Sequence, residues 1–182
     1  MEEMEEKERK RKYRMELLTG GMVLGVAMVA VLVVRYLTRG VASGTLGALL
    51  SMASLAAIVA VLVVYGRRAA ALCPPDQRHP GGFTYGRAFG FSLLVCLLSG
   101  VVYGMGYFVM AEGVDPVYFG QILDQVARAY VEAGWMTPEQ VGEAVGAMHN
   151  QWMVIVGHMV AMVMQGGFVA LFTSAVVRRR AF

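Results

Sequence analysis

The chain has 182 residues, of which 57% are hydrophobic and 16% charged, with a formal net charge of +3. An ordinary water-soluble domain spends about a quarter of its residues on charge and only about 45–50% on apolar side chains, so a soluble globule is excluded. A nucleic-acid partner is excluded too: the basic residues flank apolar runs, where each gains about 1 kcal/mol from anionic lipid head groups.

Residues 1–16 form a charged segment. Glu3 with Lys7, Glu6 with Lys10 and Glu8 with Lys12 stand at i,i+4 in the favourable Glu-to-Lys order, which predicts a helix. It is polar all round and has no core of its own, so it reads as a solvated extension, with a partner-binding arm as the second reading.

Four apolar runs follow, at about 17–37, 45–65, 88–111 and 152–177. Each reaches the roughly 20 helical residues that a hydrocarbon layer about 30 Å thick requires. The first is no cleaved leader, because it outlasts a signal core and the small residues Val41, Ala42 and Ser43 make a poor cleavage site. The expected fold is therefore all-α, with 17–182 a single domain of four transmembrane helices. Basic residues crowd the N-terminal tail (Lys7 to Arg14), the second connection (Arg67, Arg68, Arg78, Arg87) and the C-terminal tail (Arg178, Arg179, Arg180). The first and third connections carry only Arg35, Arg39 and Arg128. This bias predicts cytoplasmic termini, with Arg67, Arg68 and Arg178 to Arg180 as lipid head-group anchors. Cys73 and Cys96 are expected as free thiols.

The second connection holds the helix-stopping clusters Cys73-Pro74-Pro75-Asp76 and His79-Pro80-Gly81-Gly82. Phe83, Tyr85 and Phe89 after it are expected to anchor at the membrane interface. The third connection, 112–151, has the pattern of an ordered helical hairpin. Asp115-Pro116 is a helix start, and Phe119, Ile122, Leu123, Val126 and Tyr130 recur at helical spacing. Gly134 is a stop, and Thr137-Pro138-Glu139-Gln140 matches a capping box. Val141, Val145, Met148 and Trp152 carry a second stripe into the last span. By the charge bias this hairpin is extracytoplasmic. Its acidic residues outnumber its single Arg128; a solvated helical face is the first reading, and attraction of cations or a basic partner the second.

Gly82-Phe83-Thr84-Tyr85-Gly86-Arg87-Ala88-Phe89 at the third span, Gly134-Trp135-Met136-Thr137-Pro138-Glu139-Gln140 in the hairpin, and a last span ending in a basic tail resemble one known group. It is the bacterial four-span membrane family catalogued as domain-of-unknown-function family 4199. The resemblance covers nearly the whole chain. It implies a bacterial cytoplasmic (inner) membrane protein and brings no catalytic residue with it. The long charged tail and the Ala- and Val-rich first spans depart from the pattern.

Polar residues inside a span are expensive and invite a functional reading. His158, Met162 and Gln165 stand at i, i+4 and i+7 of the last span, and Tyr103 and Tyr107 at i,i+4 of the third. Together they form a candidate intramembrane polar face, lining a pathway or only hydrogen-bonding between helices. Gly21 with Gly25, Gly86 with Gly90 and Gly100 with Gly104 have the small-residue spacing that lets helices approach closely. Met153, Met159, Met162 and Met164 with His149 and His158 do not share one face, so neither a metal site nor any other cofactor is expected. No phosphate loop, HExxH, CxxC or nucleophile–His–acid set is present, and no enzyme is expected. The leading reading is an accessory or scaffold subunit packing against another membrane protein or its own copies, with membrane lipids around it. The alternative is a small-molecule or lipid-handling transporter or channel component.

Overall fold

The structure, a computed structural model, describes residues 2–40, 44–73, 82–147 and 150–177. Val41 to Ser43, Pro74 to Gly81, Met148, His149 and the anchors Arg178, Arg179 and Arg180 lie outside the described residues, as does the Glu3 side chain.

The chain is all helical among the described residues, in the order α1 Glu2–Leu37, α2 Gly44–Ala71, α3 Tyr85–Phe108, a π-helical turn Val109–Val114, α4 Pro116–Glu132, α5 Pro138–Ala147 and α6 Gln151–Val177. Four of these are long and apolar enough to cross a membrane: α1, α2, α3 with its π-helical extension, and α6. An apolar helix of this length satisfies its own backbone and needs only lipid or another helix around it.

α1 is 36 residues long, about 54 Å, so it outreaches a hydrocarbon layer of about 30 Å. Its charged first half continues the same helix, with Lys10 2.6 Å from Glu6 and Lys12 2.8 Å from Glu8. α3 begins at Tyr85 because the Thr84 hydroxyl accepts a hydrogen bond from Arg87 N at 3.5 Å.

The four long helices form a bundle in which α1 lies beside α2 and α3, and α6 beside α3 and α2. The α3–α6 contact is the most extensive. Leu24, Ile58, Leu62, Phe91, Val95 and Met162 meet in the core. Phe83 is also wholly buried and packs edge-on against Phe91, with ring centroids 6.4 Å apart. The expectation of an interfacial anchor at Phe83 is therefore corrected: the turn at Gly82 (φ 58°) folds the ring inward. Tyr85 keeps its ring at the rim and donates to Leu171 O at 3.0 Å.

α4 and α5 are built by the signals their sequence carries. Asp115 caps α4, accepting from Tyr118 N at 3.0 Å. Gly134 (φ 70°) ends the α4 turn, where Trp135 N donates to Tyr130 O at 3.0 Å. Thr137 and Gln140 make the reciprocal capping box, Thr137 N to Gln140 Oε1 at 2.9 Å and Gln140 N to Thr137 Oγ1 at 3.3 Å. α5 ends at Ala147 and does not run on as α6. Asn150 starts the last helix afresh, its side chain accepting from Trp152 N at 2.9 Å.

Candidate functional site

The α3–α6 seam is made by two glycines. A Cβ added at Gly100 would stand 2.5 Å from the Met159 Cα, and one at Gly104 2.8 Å from the Ile155 Cα. Backbone meets backbone there, which only glycine permits. Gly21 and Gly25 seat α1 on α3, against the side chains of Leu98 and Val102. Gly86 and Gly90 do not. A Cβ at either would meet nothing within 4 Å, so neither seats a helix of the same chain. They sit on the first turns of α3.

His158 faces the seam. Its ring lies against Tyr103 (centroids 5.0 Å apart) and Tyr107 (4.5 Å), and Nδ1 is 2.8 Å from Val154 O. A carbonyl only accepts, so Nδ1 carries the proton of that bond. Met162 is buried one turn further along. Gln165 is exposed, outside the bundle, and does not complete the face. Seven residues fall about 20° short of two whole turns, and His158, half-buried, already stands at the rim.

Above His158 the contacts continue through rings to a charged cluster. Tyr107 packs edge-on against Phe119 at 5.2 Å, and Phe119 stacks on Tyr36 at 6.2 Å. The Tyr36 hydroxyl donates to Asp115 Oδ2 at 3.2 Å, and Arg39 pairs with the same oxygen at 2.5 Å. The Arg39 guanidinium also lies over the Tyr36 ring at 4.3 Å and the Tyr118 ring at 4.9 Å. The hydrogen bond from Arg39, with that from Tyr118 N, holds the Asp115 carboxyl below the usual carboxylate range. Arg39 is pushed up by the same bond. This cluster ties the end of α1 to the start of α4. The sequence shows Asp115 as a cap but gives no sign of a partner 76 positions away.

Beyond its base at Phe119, α4 is loosely held. Ile122 and Leu123 are half-buried, but Val126 is 47% exposed, Tyr130 40% and Trp135 75%. α4 and α5 face each other across an open groove of about 540 Å³ bordered by Ala127, Val131, Val141 and Val145. Among the described residues the one ring contact of Trp135 is with Tyr130, edge to face at 5.6 Å.

At the opposite end of the bundle Arg67 and Arg68 are exposed. Arg68 lies over the Tyr65 ring at 5.1 Å, with Glu16 3.9 Å away. Burial raises the Cys73 thiol above its ordinary value, and Cys96 is buried beneath Gly166, where a Cβ would strike its sulfur. Among the described residues no three His, Cys, Asp or Glu side chains are grouped to hold a metal ion.

A family model described as a protein of unknown function, DUF4199, matches residues 19–179. No curated protein and no solved structure matches the chain. The match takes in α1 from residue 19 onward, all of α2, α3 and α6, and the α4–α5 pair, and the chain belongs to the DUF4199 family.

Proposed function

We propose that this integral membrane protein is a non-enzymatic accessory or scaffold subunit that recognises a protein partner through the α4–α5 pair. One observation carries the reading. The apolar stripe of α4 is covered at Phe119 and then left open at Val126, Tyr130 and Trp135, although capping at both ends keeps the helices formed. Apolar side chains held in order without cover mark interaction surfaces. The positive-inside bias of the sequence supports an extracytoplasmic position for this pair, and the family resemblance supports a bacterial inner membrane as its setting.

Affinity purification from native membranes tests the reading. The wild-type chain should bring down a protein in stoichiometric amount, and Val126→Glu with Tyr130→Glu should lose it while keeping the fold. A monodisperse chain accompanied by lipid alone contradicts it.

The ring contacts leading from His158 to Asp115 favour a second reading, a transporter or channel component with that seam as its path. Against it, the seam is closed by backbone contact at Gly100 and Gly104. If His158→Ala leaves stability intact and abolishes a flux in proteoliposomes, the second reading displaces the first.

A further inference from the structure

The geometry points to self-association of this protein through the outer face of α6, with Gln165 as its polar centre. Gln165 is exposed on the bundle, and among the described residues its carboxamide makes no hydrogen bond. α6 runs Gln151–Val177, so about 21 Å of helix precedes Gln165 and about 18 Å follows it. In a hydrocarbon layer about 30 Å thick the amide then lies near the midplane, too deep for its side chain to reach the head groups. Lipid tails offer it neither donor nor acceptor, and an unpaired amide in hydrocarbon is unfavourable.

The ridge that carries Gln165 is shaped for a helix. Ala161 stands one turn before it and Gly157 two turns before it. Ala161 is exposed, and a Cβ built on Gly157 would meet nothing within 4 Å. Small residues at four-residue spacing let two helices come close enough for hydrogen bonds between them. Met164, 72% exposed, and Phe168, 66%, flank the ridge and would pack across such a contact. The inner face of α6 is already filled by α3 at Met159 and Ile155. The outer notch is empty.

The chemistry selects the occupant. A primary carboxamide both donates and accepts, so two identical amides satisfy each other reciprocally. Two copies inserted with the same topology hold Gln165 at the same depth, and a two-fold axis along the membrane normal brings amide to amide. A partner of other sequence would need its own polar side chain at that depth. A second copy has it by identity.

The test uses the full chain in bilayers, with Cys73→Ser and a reporter Met164→Cys; Cys96 is wholly buried and silent. Oxidative cross-linking should trap a dimer from position 164, whereas Met52→Cys on the exposed side of α2 should give none. Gln165→Leu should shift the monomer–dimer midpoint, read against protein-to-lipid ratio, on the order of tenfold toward monomer. Gly157→Leu extends into open space, leaves the monomer's packing untouched, and should weaken the dimer at least as much. A chain monomeric at every ratio overturns the proposal. So does equal cross-linking from position 52, or a midpoint that neither variant moves. Gln165-dependent capture of a different membrane protein by a monomeric chain also overturns it. The proposal does not depend on the α4–α5 reading: a dimer whose hairpin captures nothing would keep this inference and remove that one.

Discussion

The α3–α6 seam and the α4–α5 pair are both helix pairs with apolar faces, yet they are held in opposite ways. In the seam, Gly100 and Gly104 bring two backbones into contact, and Met162 and Val169 are buried around them. In the α4–α5 pair, order comes from local hydrogen bonds: Asp115 at one start, Thr137 and Gln140 at the other, Gly134 between them. The seam is fixed by what it touches. The pair is fixed by its own ends, and its apolar residues stay free to touch something else.

The largest effect expected from this contrast is at the seam. Gly100→Ala should destabilise the bundle by about 1–3 kcal/mol, because the added methyl strikes the α6 backbone rather than a movable side chain. Unfolding in mixed micelles measures it. Gly86→Ala, on the same helix at the same kind of spacing, should be neutral or stabilising by up to about 1 kcal/mol, the helix-propensity gain of alanine over glycine. Equal losses at both positions would break the comparison.

A smaller, local effect is expected at Thr137. Thr137→Ala removes one half of the capping box and should cost about 1 kcal/mol of α5 stability, seen as faster hydrogen exchange in its first turn. Unfolding of the four long helices should not move, since α5 packs only against α4 among the major contacts.

The Arg39–Asp115 pair joins the two regions, and its response to pH is set by the depressed Asp115 value. A carboxyl whose folded value lies below its unfolded one stabilises the fold at all higher pH. That contribution declines only as pH falls below about 4, where the unfolded carboxyl begins to bind protons first. Exchange protection of the first turn of α4 should therefore be flat from pH 8 to pH 5 and fall below pH 4. Asp115→Asn should remove the pH dependence. A protection step near pH 6 would assign the joint to another group.

How far the sequence reaches differs between the two regions for a physical reason. Span number, the Asp115 and Thr137 caps and the Gly134 stop were legible because each depends on residues within a few positions of one another. What covers a helix face depends on a distant segment. Spacing alone therefore grouped Gly86 and Gly90 with Gly100 and Gly104, and placed Gln165 on the face of His158. The same limit hid the Arg39–Asp115 pair and the Gly166 contact with Cys96. Asn150 was readable in principle, as a polar residue just before an apolar run, but the stripe through Val145 and Trp152 argued for continuity across it. The candidate polar face was thus half legible: Tyr103, Tyr107, His158 and Met162 come together, and Gln165 turns away.

The smallest effect of all is expected at Trp135. Trp135→Ala should change bundle stability by less than about 0.5 kcal/mol, since the side chain is 75% exposed. In the proposed function its value to the protein lies in contact with a partner. The most direct test of that claim places a photoactivatable side chain at position 135 and another at Met52, a comparably exposed apolar site within the α2 span. Irradiation in native membranes should give a discrete protein adduct from position 135 and only lipid adducts from position 52. Lipid adducts alone from both positions would contradict the account.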